Sequence, residues 1–206
     1  METVLDVARM RLVGGNLALD LVNSRTGPPD GPWSDDALTS YPELVAWAVY
    51  AGALTEAEAG RLRRDARADP DGSQAALARA LAARDHLDDI FRGIANGAPP
   101  KDRALAALRD DEVEALAHAR PEVAGALTWS WQGDRTLLRP VHPAVHAAVE
   151  LLAGGSLTRV KQCGGCTFLF HDESKNLSRR WCSMEDCGKS EKMRRYVEAR
   201  RARTWA

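Results

Sequence analysis

Apolar residues recur every three or four positions along most of residues 1–158. The longest such face covers residues 73–97, and it ends at Asn96-Gly97, a dipeptide that commonly stops a helix. Residues 14–24 and 101–120 are shorter segments with the same spacing. The pattern therefore predicts a first domain that is mainly helical.

Local signals mark the ends of three more helices. Ser40 with Glu43, and Thr55 with Glu58, have the spacing of a capping box, which predicts that a helix begins directly after each pair. Residues 142–155 have a proline near the start of an apolar pattern and two glycines at its end. We expect a helix at each of these places.

Residues 128–140 depart from the helical pattern. Polar and apolar residues alternate there on both sides of Gly133-Asp134, a dipeptide with suitable chemistry for a tight turn. The alternation predicts one β-hairpin, with its turn at these two residues, within the helical domain.

A change of pattern after residue 155 suggests two domains, 1–157 and 158–206. In the second, residues 167–182 alternate as strand, turn and strand, and the residues after Cys187 return to helical spacing. A hairpin and a helix around a metal would form a small α+β unit of the treble-clef type. We also expect Trp181 to pack over the metal rather than to stack on a base.

The only four cysteines of the chain have the spacing C-x2-C-x15-C-x4-C. Two close pairs of thiolates are typical of a closed structural zinc site, whereas a redox CxxC is expected between a strand and a helix. His171 lies between the pairs, but four thiolates already complete a tetrahedral site. The spacing predicts one structural Zn²⁺, bound by Cys163, Cys166, Cys182 and Cys187.

No apolar run approaches the roughly 20 residues that span a bilayer, and the first residues lack the pattern of a secretory signal. We therefore expect a cytoplasmic protein. That compartment is reducing, which also favours metal ligands over disulfides.

Charge is distributed unevenly between the two parts. Residues 159–206 have 12 Lys and Arg against 6 Asp and Glu, whereas residues 1–158 have 16 against 23. A basic tail on an acidic body indicates a polyanionic partner such as nucleic acid, although a solvated helix face would look similar. The candidate nucleic-acid contacts are Arg179, Arg180, Lys189, Lys192, Arg194, Arg195, Arg200 and Arg203.

Signals for an enzyme are weak. His142 and His146 have a metal-binding spacing, but Pro143 occupies the position of the glutamate in HExxH, so we interpret them as helix-start and surface histidines. Asp20 and Asn23 either line a ligand pocket or serve as a helix residue and its terminal cap. We expect no catalytic activity. The remaining alternatives are a DNA-binding regulator and an adaptor that binds protein or RNA.

Two sets of motifs resemble known families. CGGCTFLFHDESKN and SRRWCSMEDCGKSEKMRRYVEARR resemble the CGNR zinc finger, and GGNLALDLVNS with DALTSYPELVAWAVYAG resembles the ABATE domain that precedes this finger. The resemblance covers nearly the whole chain and is most specific in the finger. It implies a stress-related bacterial transcription regulator in which the finger binds duplex DNA at the nucleoid and the first domain controls it. A small-molecule effector and a homodimer are further expectations.

One departure from the CGNR motif concerns DNA contacts. Cys187-Gly188 is followed by Lys189-Ser190 instead of Asn-Arg. Lysine keeps a positive charge, so a phosphate contact would survive, but it lacks the planar fork that a bidentate base contact requires. Ser190 is also a candidate cap for the last helix.

Overall fold

The computed structural model describes Val7, residues 10–28 and residues 33–204, apart from the side chains of Ala199 and residues 202–204. This part of the chain has the helices α1 (Leu17–Val22), α2 (Tyr41–Tyr50), α3 (Glu56–Ala68), α4 (Pro70–Ala95), α5 (Asp102–Ala117), α6 (His142–Ala153) and α7 (Lys189–Thr204). The strands form three antiparallel ribbons: β1 (Arg25–Thr26) with β2 (Asp35–Asp36), β3 (Arg120–Val123) with β4 (Leu127–Ser130), and β5 (Val160–Gln162) with β6 (Leu169–His171). The mainly helical α+β class is confirmed. None of the helices described combines the length and apolar character needed to cross a membrane.

Helix α1 lies at the centre of the molecule. Residues 18–22 are all buried, and the helix packs against α4, α6 and strand β6. The same core contains the fully buried Trp47 and Phe91. Val160 and Leu169, from the two strands nearest the cysteines, also belong to it. The C-terminal part of the chain therefore shares the main hydrophobic core.

The predicted helix starts are confirmed, with one difference in detail. Thr55 and Glu58 form a complete capping box. Ser40 accepts a hydrogen bond from the Glu43 backbone N–H at 3.4 Å, but the Glu43 carboxylate accepts from Thr39 instead of from the backbone of Ser40. Both arrangements satisfy N–H groups that have no partner inside the helix.

Helix α4 begins earlier than the apolar pattern indicates and ends where predicted. Asp69 caps it by accepting from the Gly72 N–H at 2.9 Å, and Pro70 occupies the first turn, where a missing N–H costs nothing. Asn96 caps its C-terminus, and Gly97 follows with φ +72°.

The hairpin predicted around Gly133-Asp134 is wrong, although the chain does turn at residues 132–133. The hairpin lies earlier, because β3 pairs with β4 and the turn between them contains Gly125 at φ +85°. Trp131 ends the ribbon by entering the core, where its indole N–H donates to the Ala115 carbonyl at 2.7 Å. Pro121 weakened the strand signal, but a two-stranded ribbon has open edges and can contain a proline.

The predicted hairpin between the two cysteine pairs is also wrong. Strand β6 pairs with β5, which precedes the first cysteine pair, so the hairpin turns through Cys163 to Cys166. The Cys163 N–H donates to the Phe168 carbonyl at 2.8 Å and continues this ladder. The predicted alternation of faces is confirmed, since Leu169 lies in the main core and Phe170 packs with the cysteines.

Candidate metal centre and nucleic-acid surface

Three local structures bring the cysteines together. Cys163 and Cys166 lie in the turn of the β5–β6 hairpin, Cys182 lies in the following loop, and Cys187 lies in a π-helical turn, Met184–Gly188, directly before α7. Their four Sγ atoms lie within 4.8 Å of one another, with 3.6 Å between Cys166 and Cys182 and between Cys182 and Cys187. Tetrahedral zinc with bonds of about 2.3 Å places its sulfur ligands about 3.8 Å apart. The four cysteines therefore form a site for one structural zinc ion.

The two glycines of the CGGC turn leave room for neighbouring side chains. A Cβ atom on Gly164 would lie 2.8 Å from the Trp181 ring, and one on Gly165 would lie 3.2 Å from Cβ of Cys187. Trp181 packs with Phe170 and the cysteines, so its predicted packing role is confirmed. The glycines thus allow the turn to close around the metal position.

Backbone amides prepare the site for a cation. The N–H groups of Gly165 and Cys182 donate to Sγ of Cys163 at 3.4 and 3.2 Å. Hydrogen bonding from Cys166 and then Cys182 holds the pKa of the Cys163 thiol well below its ordinary value. If the other three cysteines were also deprotonated, the four thiolates would repel one another at these distances. A bound divalent cation would remove that repulsion. Among the residues described, these cysteines are the only clustered metal ligands, and His171 is outside the group.

Asn23 joins α1 to the hairpin of the zinc site. Its amide Nδ2 donates to the Leu169 carbonyl, and its Oδ1 accepts from the Leu169 N–H, both at 2.8 Å. Two residues later, on the same edge of β6, the His171 N–H donates to the Gly14 carbonyl at 2.7 Å. Strand β6 is therefore hydrogen-bonded to the first domain on the side that β5 leaves open.

Other contacts fasten the finger at its turn and at the base of α7. Arg92 donates to the Thr167 carbonyl at 3.0 Å, and the Gly27 N–H donates to the Thr167 hydroxyl at 3.3 Å. Arg11 forms ion pairs with Glu185 and Asp186 of the π-helical turn. Sequence reasoning missed Arg11 and Arg92 because their partners lie far away along the chain.

Asp20 and Asn23 have structural roles in this arrangement. Asp20 accepts from the Gly14 N–H at 2.8 Å, and burial raises the pKa of its carboxyl group to about 6. Asn23 is the C-terminal cap of α1 in addition to its contacts with Leu169. The structure thus agrees with their interpretation as a helix residue and a cap, and it places neither in the lining of a described cavity.

Arg179 points into the finger instead of towards solvent. Its guanidinium donates to the carbonyls of Val13 at 2.9 Å, Trp181 at 3.1 Å and Cys182 at 2.7 Å, and it lies 4.2 Å from the centre of the Phe170 ring. With these bonds formed, the guanidinium cannot present two N–H groups to a phosphate. The structure therefore gives Arg179 a role in holding the finger together, in place of its predicted nucleic-acid contact.

The other predicted nucleic-acid residues divide into three groups. Arg180, Lys189 and Lys192 are exposed and form no ion pair with another described residue. Arg194 and Arg195 are exposed but pair with glutamates of α7, and Arg200 lies 5.9 Å from the Tyr196 ring. Arg203 falls outside the side chains described. Sequence reasoning omitted Arg201, which is exposed in the same helix.

The predicted cap of α7 is wrong, and the surface of this helix is largely exposed. The predicted cap Ser190 lies inside the first turn, whereas Ser183 accepts the backbone N–H bonds of the π-helical turn. The apolar residues Met193 and Val197 of this helix are 57% and 39% exposed. Helix α7 projects from the zinc site because its main packing partner is that turn.

His142 is the first residue of α6, as expected, but it is buried and does not lie on the surface. Its ring is buried and stacks on His118 with 5.5 Å between ring centres, and no described residue forms a hydrogen bond with either ring nitrogen. Burial lowers the pKa of His142 to about 4. His146 Nδ1 lies 2.6 Å from the Glu112 carboxylate, so the two histidines have separate partners.

Comparison with protein families agrees with this architecture. The model of the ABATE family, described as "Putative stress-induced transcription regulator", matches residues 15–155, and the model of the CGNR zinc finger matches residues 159–202. A search of curated proteins finds no match. The chain therefore belongs to the ABATE family, and its C-terminal part is a CGNR zinc finger.

Proposed function

We propose that this protein is a transcription regulator that binds duplex DNA through the basic surface of its finger. The observation that carries the proposal is the exposure of α7, because every described side chain from Lys192 to Arg201 faces solvent. The helix has 16 residues, which gives a length of about 24 Å. The basic surface consists of Arg180, Lys189, Lys192, Arg195, Arg200 and Arg201.

Rigid attachment of this helix supports the proposal. The zinc site contains Cys187, two residues before the start of α7, and the π-helical turn forms ion pairs with Arg11. A helix held at its first turn and free along its length can be inserted between phosphate strands without displacing other packing. Lysine and arginine side chains on it would release counterions from DNA. A DNA-binding regulator would act in the cytoplasm, at the nucleoid.

Removing exposed basic residues tests the DNA surface. We expect Arg180→Ala combined with Lys189→Ala and Lys192→Ala to weaken binding to a mixed-sequence duplex of about 24 base pairs at least tenfold. If three phosphate contacts are lost, the slope of log K against log salt becomes shallower by roughly 2.7. Fluorescence anisotropy of the zinc-loaded full chain over a salt series measures both quantities.

The control removes the same charge elsewhere. Arg64→Ala, Arg67→Ala and Arg109→Ala take three exposed arginines from α3 and α5, and DNA affinity should stay within twofold of the wild type. Equal loss in both triple variants, or in neither, would contradict the proposed surface. A second candidate is an adaptor that binds protein through the exposed Met193 and Val197, and it would remain if no DNA binding were found.

The regulatory part of the proposal assigns the effector to a cleft of the first domain. This cleft, of about 620 Å³, borders an ion-pair chain in which Asp88 accepts from Arg25 and Arg92, and Arg92 reaches the Thr167 carbonyl beside Cys166. Ligands in it would therefore contact groups connected to the zinc turn. Its lining includes Arg25, Trp33, Asp85, His86, Asp88, Asp89, Arg103 and Ala104.

A thermal-shift screen of metabolites on the full chain tests the cleft. Compounds that raise the melting temperature should lose this effect in Trp33→Ala and keep it in Trp129→Ala, a substitution in the β3–β4 ribbon away from the cleft. Hits that are insensitive to Trp33→Ala would place the effector elsewhere. The proposal includes no catalytic role, and the absence of activity stays a prediction, as does the homodimer.

A further inference from the structure

Helix α7 has a small apolar patch on an otherwise charged surface. Met193 and Val197 lie four residues apart, which places them on one face. They line a shallow depression of about 540 Å³ together with Lys189, Ser190 and Arg194. Within the described part of the chain, Met193 remains 57% exposed and Val197 39% exposed. Exposed apolar side chains in a continuous patch commonly mark a contact surface.

The acidic residues of α7 occupy a different face. Glu191 and Glu198 are seven residues apart, and both accept hydrogen bonds from Arg194, while Glu191 also accepts from Arg195. At about 100° per residue, the centre of this acidic face lies about 130° around the helix axis from the Met193–Val197 patch. The helix therefore has one side on which the glutamates are paired with Arg194 and Arg195, and another side with the apolar patch between Lys189 and Arg201.

This polarity determines which side a polyanion would meet. DNA phosphates attract Lys189, which lines the same depression, and Arg201, whose position lies about 60° from the patch centre on its other side. The major groove is about 12 Å wide and admits an α-helix, and the apolar group it exposes on base edges is the C5 methyl of thymine.

On the basis of the proposed function, we infer that α7 enters the major groove of duplex DNA and that Met193 and Val197 contact thymine methyl groups there. Lys189 and Arg201 contact the flanking phosphates. The finger thus has a preference for thymine at the positions next to the patch, which does not depend on the arginine of the CGNR motif. Apolar contact supplies the base reading that Lys189 cannot supply through a bidentate hydrogen bond.

A protein partner fits the patch less well. Two side chains cover far less than the roughly 1,000 Å² of total buried area expected of a stable protein interface. Lys189 lines the edge of the patch, and its positive charge matches a polyanion. A second copy of this helix would bring like charges together.

Replacing thymine by deoxyuridine tests the inference, because it removes the methyl group and leaves base pairing intact. Zinc-loaded full-length protein first selects its preferred sites from a random duplex library. Thymine should be enriched at one or more positions, and deoxyuridine at such a position should weaken binding about fourfold per methyl group. Met193→Ala combined with Val197→Ala should bind the thymine and deoxyuridine duplexes equally.

A matched control removes apolar surface elsewhere. Leu105→Ala with Val113→Ala takes two exposed apolar residues from α5, and it should keep the wild-type discrimination between the two duplexes. Salt-dependent DNA binding without a thymine preference, or with a preference that the α7 double variant retains, overturns the inference and leaves the proposed function standing. Absence of any DNA binding overturns both.

Discussion

The Asn23 side chain connects two parts of the chain that are 146 positions apart. As the cap of α1 it occupies the place that helical spacing indicates, and from there its amide pairs with both backbone groups of Leu169. Asn23 and Leu169 are both buried, so water cannot replace these bonds. A backbone donor and acceptor left unsatisfied in the interior each cost about 1–3 kcal/mol.

We therefore expect Asn23→Ala to lower the free energy of unfolding by about 2–4 kcal/mol. Urea unfolding of the zinc-loaded protein measures the change, and hydrogen exchange at the Leu169 amide should become faster. Asn96→Ala is the matched control, because the Asn96 side chain caps α4 in an exposed position. Similar, small losses in both variants would show that the Asn23 contacts contribute little.

Two buried titratable groups shift stability in opposite directions. In the unfolded chain Asp20 loses its proton near its ordinary pKa of 3.8. Burial raises the pKa in the folded protein to about 6, so the folded state keeps the proton longer. The contribution of Asp20 to stability therefore decreases as pH rises from 3.8 to about 6. In the unfolded chain His142 gains a proton near its ordinary pKa of 6.5, whereas burial lowers the pKa in the folded protein to about 4. The contribution of His142 to stability therefore decreases as pH falls from 6.5 to about 4. The two effects largely cancel between about pH 4 and 6.

Single variants should separate the two groups. Relative to the wild type, Asp20→Asn should lose stability on acidification from pH 6 to 5, because only the His142 effect remains, with a slope of up to about 1.4 kcal/mol per pH unit. His142→Gln should gain relative stability over the same range. Urea unfolding of the three proteins at both pH values measures the differences, and parallel profiles would contradict the assigned shifts.

At the scale of elements, the β5–β6 hairpin belongs to the zinc site and to the main core at once. Phe170 packs with the cysteines, while Val160 and Leu169 pack among the helices of the first domain. Alternation of side chains across a strand makes this possible, since neighbouring residues point to opposite faces. Helix α7 differs, because its described side chains from Lys192 to Arg201 are exposed and none of them belongs to either cluster.

These placements predict how the chain unfolds without metal. Structural zinc contributes on the order of 10 kcal/mol, which is similar to the total stability of many domains. A chelator should therefore abolish or strongly lower the single thermal transition of the whole chain, including the helices of residues 17–153. Circular dichroism measures this transition.

Truncation after Gly188 is the control for that experiment. It removes only α7, so zinc binding and the melting temperature should stay within a few degrees of the full chain. Survival of the first-domain transition in chelator would show that the two parts fold independently.

At the scale of the molecule, the acidic body and the basic finger are joined by more than a linker. The contacts of Asn23, Arg92 and Arg11 reach three separate parts of the finger. Control of DNA binding by the first domain would therefore act through these contacts, because no long flexible linker joins the two parts and allows the finger to move independently. Removing residues 159–206 would also remove Val160 and Leu169 from the core, so smaller substitutions test function more cleanly.

Local patterns predicted the features that depend on near neighbours. Cysteine spacing identified the zinc site, capping residues marked helix starts, and the lysines and arginines of the last helix indicated the basic surface. Hairpin positions were predicted less well. Strands do form close to Trp131 and after Cys166, as the alternation indicates. Which strand each pairs with depends on the burial of Trp131 and on the closure of the CGGC turn.

The sequence by itself determined the helical first domain, the four-cysteine metal site and the concentration of positive charge after it, because helical periodicity, ligand spacing and charge are properties of neighbouring residues. Only the tertiary structure decided that Arg179 faces inward, that Asn23 holds the finger and that Met193 and Val197 stay exposed. Those outcomes depend on which distant groups come into contact. Neighbouring residues in the sequence do not indicate which backbone carbonyl will be buried or which helix face will stay exposed.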